Sequence, residues 1–125
     1  MNYMELYKKA GITGDTAAMA VVPTPMCVVQ RADPLDDASP IVKRYAPVMD
    51  GVCGFAWVIV KPGNSKFANW LKKTGIALSD SYYGGVSVWV NTFGQSMTRK
   101  EAYAQAFAKV LNENGIRAFA MSRMD

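Results

Sequence analysis

GNSKFANWLKKTGI, residues 63–76, and GQSMTRKEAYAQAFAKVLNENGI, residues 94–116, repeat one pattern: Gly-x-Ser, a helix-forming run, then Gly-Ile. Ser65 stands where a helix N-cap is needed, because a serine hydroxyl can accept from one of the backbone N–H groups that a first turn leaves unpaired. Phe67, Trp70 and Leu71 follow at helical spacing. Lys72 and Lys73 complement the negative end of the helix dipole, and Gly75 closes the segment. In the second stretch Thr98-Arg99-Lys100-Glu101 reads as a capping box. It opens the longest helix, whose Tyr103, Phe107, Val110 and Leu111 form one apolar stripe that Ala102 and Ala106 widen, before Gly115 ends it.

Strand-like runs flank both stretches. VCGFAWVIVK, residues 52–61, is β-rich and is stopped by Pro62-Gly63. Residues 76–78 predict a brief strand, SDSYYGG a turn, VSVWVN (86–91) an alternating strand, and IRAFAMSR (116–123) a closing one. Trp57-Val58 matches Trp89-Val90 as Gly63-x-Ser65 matches Gly94-x-Ser96. A doubled βαβ folds most simply as a ferredoxin-like α+β sandwich, βαββαβ, with two helices on one face of a four-stranded sheet. Residues 51–125 are the expected core domain.

Residues 1–50 read as an N-terminal arm of extended segments packed on that core. Tyr3, Met4, Leu6 and Tyr7 suggest one short amphipathic turn before Gly11. AAMAVVPTPMCVV, residues 17–29, is apolar and strand-like, with Pro23 and Pro25 confining it to an edge. RADPLDDASP, residues 31–40, is a polar acidic loop.

Period-two alternation assigns the sides of the sheet. Val86, Val88, Val90, Ile116, Ala118, Ala120, Ala56, Val58 and Val60 suit the side beneath the helices. The opposite face then gathers Phe55, Trp57, Trp89, Phe119 and Met121, bordered by Arg117 and Arg123. Such a patch is unusual on a soluble monomer. Three explanations stand open: the arm covers it with Val21, Val22, Met26 and Val28; it is a protein interface, with a partner or with another copy, as aromatics, Met and Arg favour; or bases of a single-stranded nucleic acid stack on it.

The chemistry-bearing residues are few. With no His, the usual neutral-pH base and the commonest zinc ligand are missing. Cys27 and Cys53 are the only cysteines; a disulfide between them is one reading, and a pair of buried free thiols in a reducing compartment is the favoured one. Gly63, Asn64 and Ser65, with Lys61 and Lys66 beside them, make a possible anion-binding turn, although the full phosphate-loop pattern is lacking and ordinary capping explains the residues. No nucleophile, base and orienter assemble, so no catalytic residue, cofactor or metal is expected. The chain carries a net charge of +4, but residues 1–50 hold five Lys/Arg against six Asp/Glu and residues 51–125 hold nine against four. The positive half permits an anionic partner. No apolar run reaches the roughly 18 residues that span a bilayer, and no membrane association is expected.

The W-V strand, the SKFANWLKK helix, the YYGGV turn, the QSMTRKEAYAQAF helix and the SRMD end resemble a group of small uncharacterised proteins encoded by tailed bacteriophages. The likeness covers about residues 52–125 and touches the arm only around Val22-Pro23-Thr24-Pro25. It implies a phage origin and a place of action in the cytoplasm of an infected bacterium or in the virion, and no activity is carried over from it. The expected function is a non-enzymatic accessory protein that binds a host macromolecule, protein before nucleic acid. The alternatives are a small virion component, such as a capsid decoration or head–tail joining protein, and a single-stranded nucleic-acid-binding protein.

Overall fold

A computed structural model of the chain describes residues 2–22, 29–31, 41–44, 53–94 and 96–125. It has α1 (Tyr3–Ala20), β1 (Val29–Arg31), β2 (Ile41–Arg44), β3 (Gly54–Lys61), α2 (Lys66–Lys73), β4 (Leu78–Ser79), β5 (Val86–Trp89), α3 (Met97–Glu113) and β6 (Arg117–Met124). Among the described residues the fold is α+β: three helices and an open four-stranded antiparallel sheet in the order β4-β5-β3-β6. β4 and β3 both run antiparallel to the β5 between them, and β5 and β6 both run antiparallel to β3. Each βα-β unit is therefore split by a strand of the other. β1 and β2 form a separate antiparallel pair on either side of the acidic run.

The duplicated wording is realised at the helix ends. Ser65 Oγ accepts from Ala68 N–H at 3.2 Å, and Ser96 Oγ accepts from Arg99 N–H at 3.4 Å. Ser96, and not Thr98, is thus the cap of α3. The expected capping box lies inside the helix because Gly94, at φ 57°, turns the chain one step earlier. At the C-termini Gly75 and Gly115 adopt φ 77° and 78°. Ile76 N–H reaches Leu71 O at 3.0 Å and Ile116 N–H reaches Leu111 O at 2.9 Å, the same αL closure twice.

One side of the sheet carries the core. Ala56, Val58, Val60, Val86, Val88 and Ala118 pack with Phe67, Leu71, Ala104, Phe107 and Leu111 of the helices, and Leu6 and Ala10 of α1 join the same cluster. α1 corrects the expected single turn before Gly11: it runs eighteen residues from an Asn2 cap, so residues 17–20 are helical and not strand-like. Its buried stripe is Leu6, Ala10, Gly14 and Ala18, four apart. Gly11 reads as the end of the turn, but the helix runs on through it and Gly14, which make room for a ring: a Cβ on Gly14 would lie 2.8–3.0 Å from Tyr103. Thr13 and Thr16 donate their hydroxyls back to Lys9 O and Ile12 O at 2.9 and 3.0 Å, so neither side chain competes for the helix's N–H groups.

The outer edge of the sheet is partly blocked. Asn112 of α3 donates to Ala118 O at 2.9 Å and accepts from Ala118 N–H at 3.0 Å, pairing with β6 as a strand would. Among the described residues no helix is long and apolar enough to cross a membrane.

Candidate functional site

The face of the sheet away from the helices is built in rows. Trp89, Trp57 and Met121 are cross-strand neighbours, as are Leu78, Ser87, Ile59 and Phe119; Phe55 stands opposite Arg123, and Lys61 opposite Arg117. The register therefore brings all seven expected face residues together. Their exposure differs sharply. Trp89 is 42% exposed, whereas Trp57 is 6% exposed and Ile59 fully buried. The expectation of two equivalent open indoles is corrected: Trp57 lies in a central strand, between β5 and β6, while two-residue β4 stops short of Trp89.

The two indoles stack with ring centroids 4.7 Å apart and planes 25° from parallel. Phe55 meets Trp89 edge-on at 6.2 Å, and Tyr83 lies 6.4 Å from Trp57. Cations cover other rings: Lys61 Nζ sits 5.4 Å from the Phe119 centroid, and Lys100 Nζ and the Arg123 guanidinium each sit 5.5 Å from that of Phe55. Each such contact is worth about 0.5–1 kcal/mol where solvent reaches it. The Trp57 indole N–H is buried, with no hydrogen-bond acceptor among the described residues.

Three contributors lay beyond the sequence reading of this face. Lys100 is only 6% exposed and donates to Gly54 O at 3.4 Å; it rises from the first turn of α3, where it looks like a solvated charge. Tyr82 and Tyr83 come from the β4–β5 loop. Their backbone N–H groups both donate to Asp80 Oδ1, at 2.9 and 2.8 Å, and Asp80 N–H donates to Gly85 O at 3.0 Å. Gly85, at φ 68°, lies so close to β3 that an added Cβ would stand 2.3 Å from Val60 O. The signal available was the Tyr82-Tyr83-Gly84-Gly85 run itself, which reads equally well as a plain turn. Trp57, Tyr82, Tyr83, Ser122 and Arg123 line a cavity of about 340 Å³ on this face.

Of the residues proposed for an anion, Lys61 and Ser65 line one cavity of about 300 Å³ together with Arg117, while Gly63, Asn64 and Lys66 are not in its lining. Ser65 spends its hydroxyl on Ala68 N–H and its own N–H on Pro62 O at 3.1 Å. Lys61 leans over Phe119, on the side away from the helices. Asn64 and Lys66 are exposed, and Gly63 packs against Gly85. Capping accounts for the turn. Cys53 is a half-buried free thiol, and Cys27 lies outside the described residues, as do Pro23, Met26 and Val28; Val22 is 88% exposed. Among the described residues no group of three or more Cys, Asp or Glu stands close enough to hold a metal ion.

Comparison of the chain with protein families, with curated proteins and with solved structures gives no match.

Proposed function

We propose that the chain is a non-enzymatic accessory protein of tailed-phage origin, acting in the cytoplasm of the infected bacterium, that binds a host protein through the face bearing Trp89. The observation that carries this reading is the half-open Trp89 indole stacked on a buried Trp57. A rigid, pre-packed aromatic at the centre of a patch is what interface hot spots are made of. Leu78 and Tyr82, 76% and 84% exposed, extend the apolar area beyond it.

The same geometry weighs against the nucleic-acid alternative. Single-strand binders need several free ring faces on which successive bases stack. Here Trp57 faces Trp89, Phe55 meets Lys100 and Arg123, and Phe119 meets Lys61. Two well-exposed rings, Trp89 and Tyr82, are left for bases among the described residues. Within the fold, the two interleaved split units support a ferredoxin-like reading of the sheet.

The test is cross-linking in infected cells with wild type and Trp89→Asp, followed by reconstitution from purified components. One host protein that forms a stoichiometric complex with wild type and tenfold less with the variant supports the proposal. A chain found at fixed copy number in purified particles is a virion component instead. A chain that light scattering shows to dimerise through Trp89 uses the face for its own copies.

A further inference from the structure

The cavity on the open face has a composition that specifies its occupant. Trp57, Tyr82 and Tyr83 supply aromatic walls; the exposed Arg123 supplies a cation; Ser122, whose hydroxyl donates to Glu101 Oε1 at 3.0 Å, completes the described lining. The tyrosines are held in place by the Asp80 carboxylate and by Gly85 against β3, so the wall exists before anything binds. Among the described residues the rows of the face carry Lys61, Arg117 and Arg123 against Asp125, and the Asp80 carboxylate behind the tyrosines accepts from Tyr82 and Tyr83 N–H.

We infer that this pocket receives a carboxylate-bearing side chain from an acidic segment of the protein partner. The inference rests on the function proposed above and names the chemistry of that partner. Arg123 can pair with the carboxylate, and the aromatic walls can cover the methylene stem of a Glu or an adjoining apolar residue. A second copy of this chain fits poorly, because two such faces would bring Lys61, Arg117 and Arg123 against their own counterparts. A nucleic acid fits poorly because its successive bases find two open rings, Trp89 and Tyr82, rather than a continuous stacking platform.

Titration of the ¹⁵N-labelled intact chain tests this, read at the indole N–H resonances, with Trp57 assigned through Trp57→Phe. The probes are the peptide acetyl-Glu-Asp-Phe-Asp-Glu-amide, its Gln/Asn counterpart, and a ten-nucleotide oligo(dT). The acidic peptide should move the Trp57 resonance, bind at least tenfold more tightly than the neutral one, and weaken at least fivefold in both Arg123→Gln and Tyr82→Ala. Both of those side chains are exposed, so the variants should keep the wild-type spectrum elsewhere. No movement of Trp57 at millimolar peptide, equal binding of the neutral peptide, or tighter binding of oligo(dT) overturns the inference. A host complex lost in Trp89→Asp but unchanged in Arg123→Gln overturns the carboxylate pocket alone and leaves the docking face standing.

Discussion

The two βα-β units of this chain share their punctuation and differ in bulk. Both helices start on a Gly-x-Ser cap and stop on an αL Gly followed by Ile, yet α2 has eight residues and α3 seventeen. The strand that follows α2 is two residues long and the strand that follows α3 is eight. The short unit buries less of its own surface, and α1 makes up part of the difference. Tyr3 packs 5.4 Å from Phe67 and 6.2 Å from Trp70, and Tyr7 bridges Trp70 and Phe107 at 6.1 and 5.8 Å. Caps thus say where a helix begins and ends, while the third helix decides how much of the shorter unit is solvent-free. The same inequality reaches the open face, since short β4 is what leaves Trp89 uncovered.

Substitutions can break this comparison, the largest effect coming where the units touch. Gly85→Ala forces a left-handed backbone onto a residue with a Cβ and drives it into Val60 O. A loss of more than about 3 kcal/mol is expected, measured by urea denaturation. Leu71→Ala and Leu111→Ala remove the fully buried leucines that precede each αL closure. Each should cost about 2–5 kcal/mol. Equal losses would show that the eight-residue helix is as firmly held as the long one. Tyr7→Ala strips the ring that joins α1 to both units and should cost about 2 kcal/mol, beyond what its aromatic pairs alone supply. No loss of helical circular dichroism or stability there would sink the claim that α1 compensates for α2. Ser65→Ala and Ser96→Ala should each cost about 1 kcal/mol. The larger loss is expected at Ser96, which is 1% exposed against a half-buried Ser65.

How much of this was legible follows from which signals are local. The α+β class, the four strands of the main sheet and the inward set Ala56, Val58, Val60, Val86, Val88 and Ala118 are written in period-two alternation. The αL glycines Gly75 and Gly115 are legible from their place after each helical run. The length of α1 was not, because Gly11 and Gly14 break a helix on propensity and are tolerated here for a ring 89 residues downstream. The cap of α3 was misplaced by two residues: the Ser96 signal was present in the repeat and lost to a competing capping box at Thr98. On the face, membership was legible from register, but exposure was not. Whether an indole is 6% or 42% exposed depends on strand order and on how far β4 extends, and neither is a property of neighbouring residues.

The smallest effect probes the seam between α1 and α3. Burial raises the Tyr103 hydroxyl from its usual value near 10 to about 12, with Tyr7 and Asp15 adding to the rise. The folded chain therefore favours the protonated phenol more than the unfolded chain does. Its contribution is complete below about pH 10 and disappears as pH climbs through about 12. The melting temperature should fall across that interval, and Tyr103→Phe should flatten part of the fall. The difference between wild type and variant carries the information. Asp15→Asn should lower the Tyr103 midpoint, because it removes the negative charge that opposes a phenolate. An ultraviolet titration in which Tyr103→Phe removes a group ionising near 10, and none near 12, would show that the ring is solvated and that α1 does not close over α3.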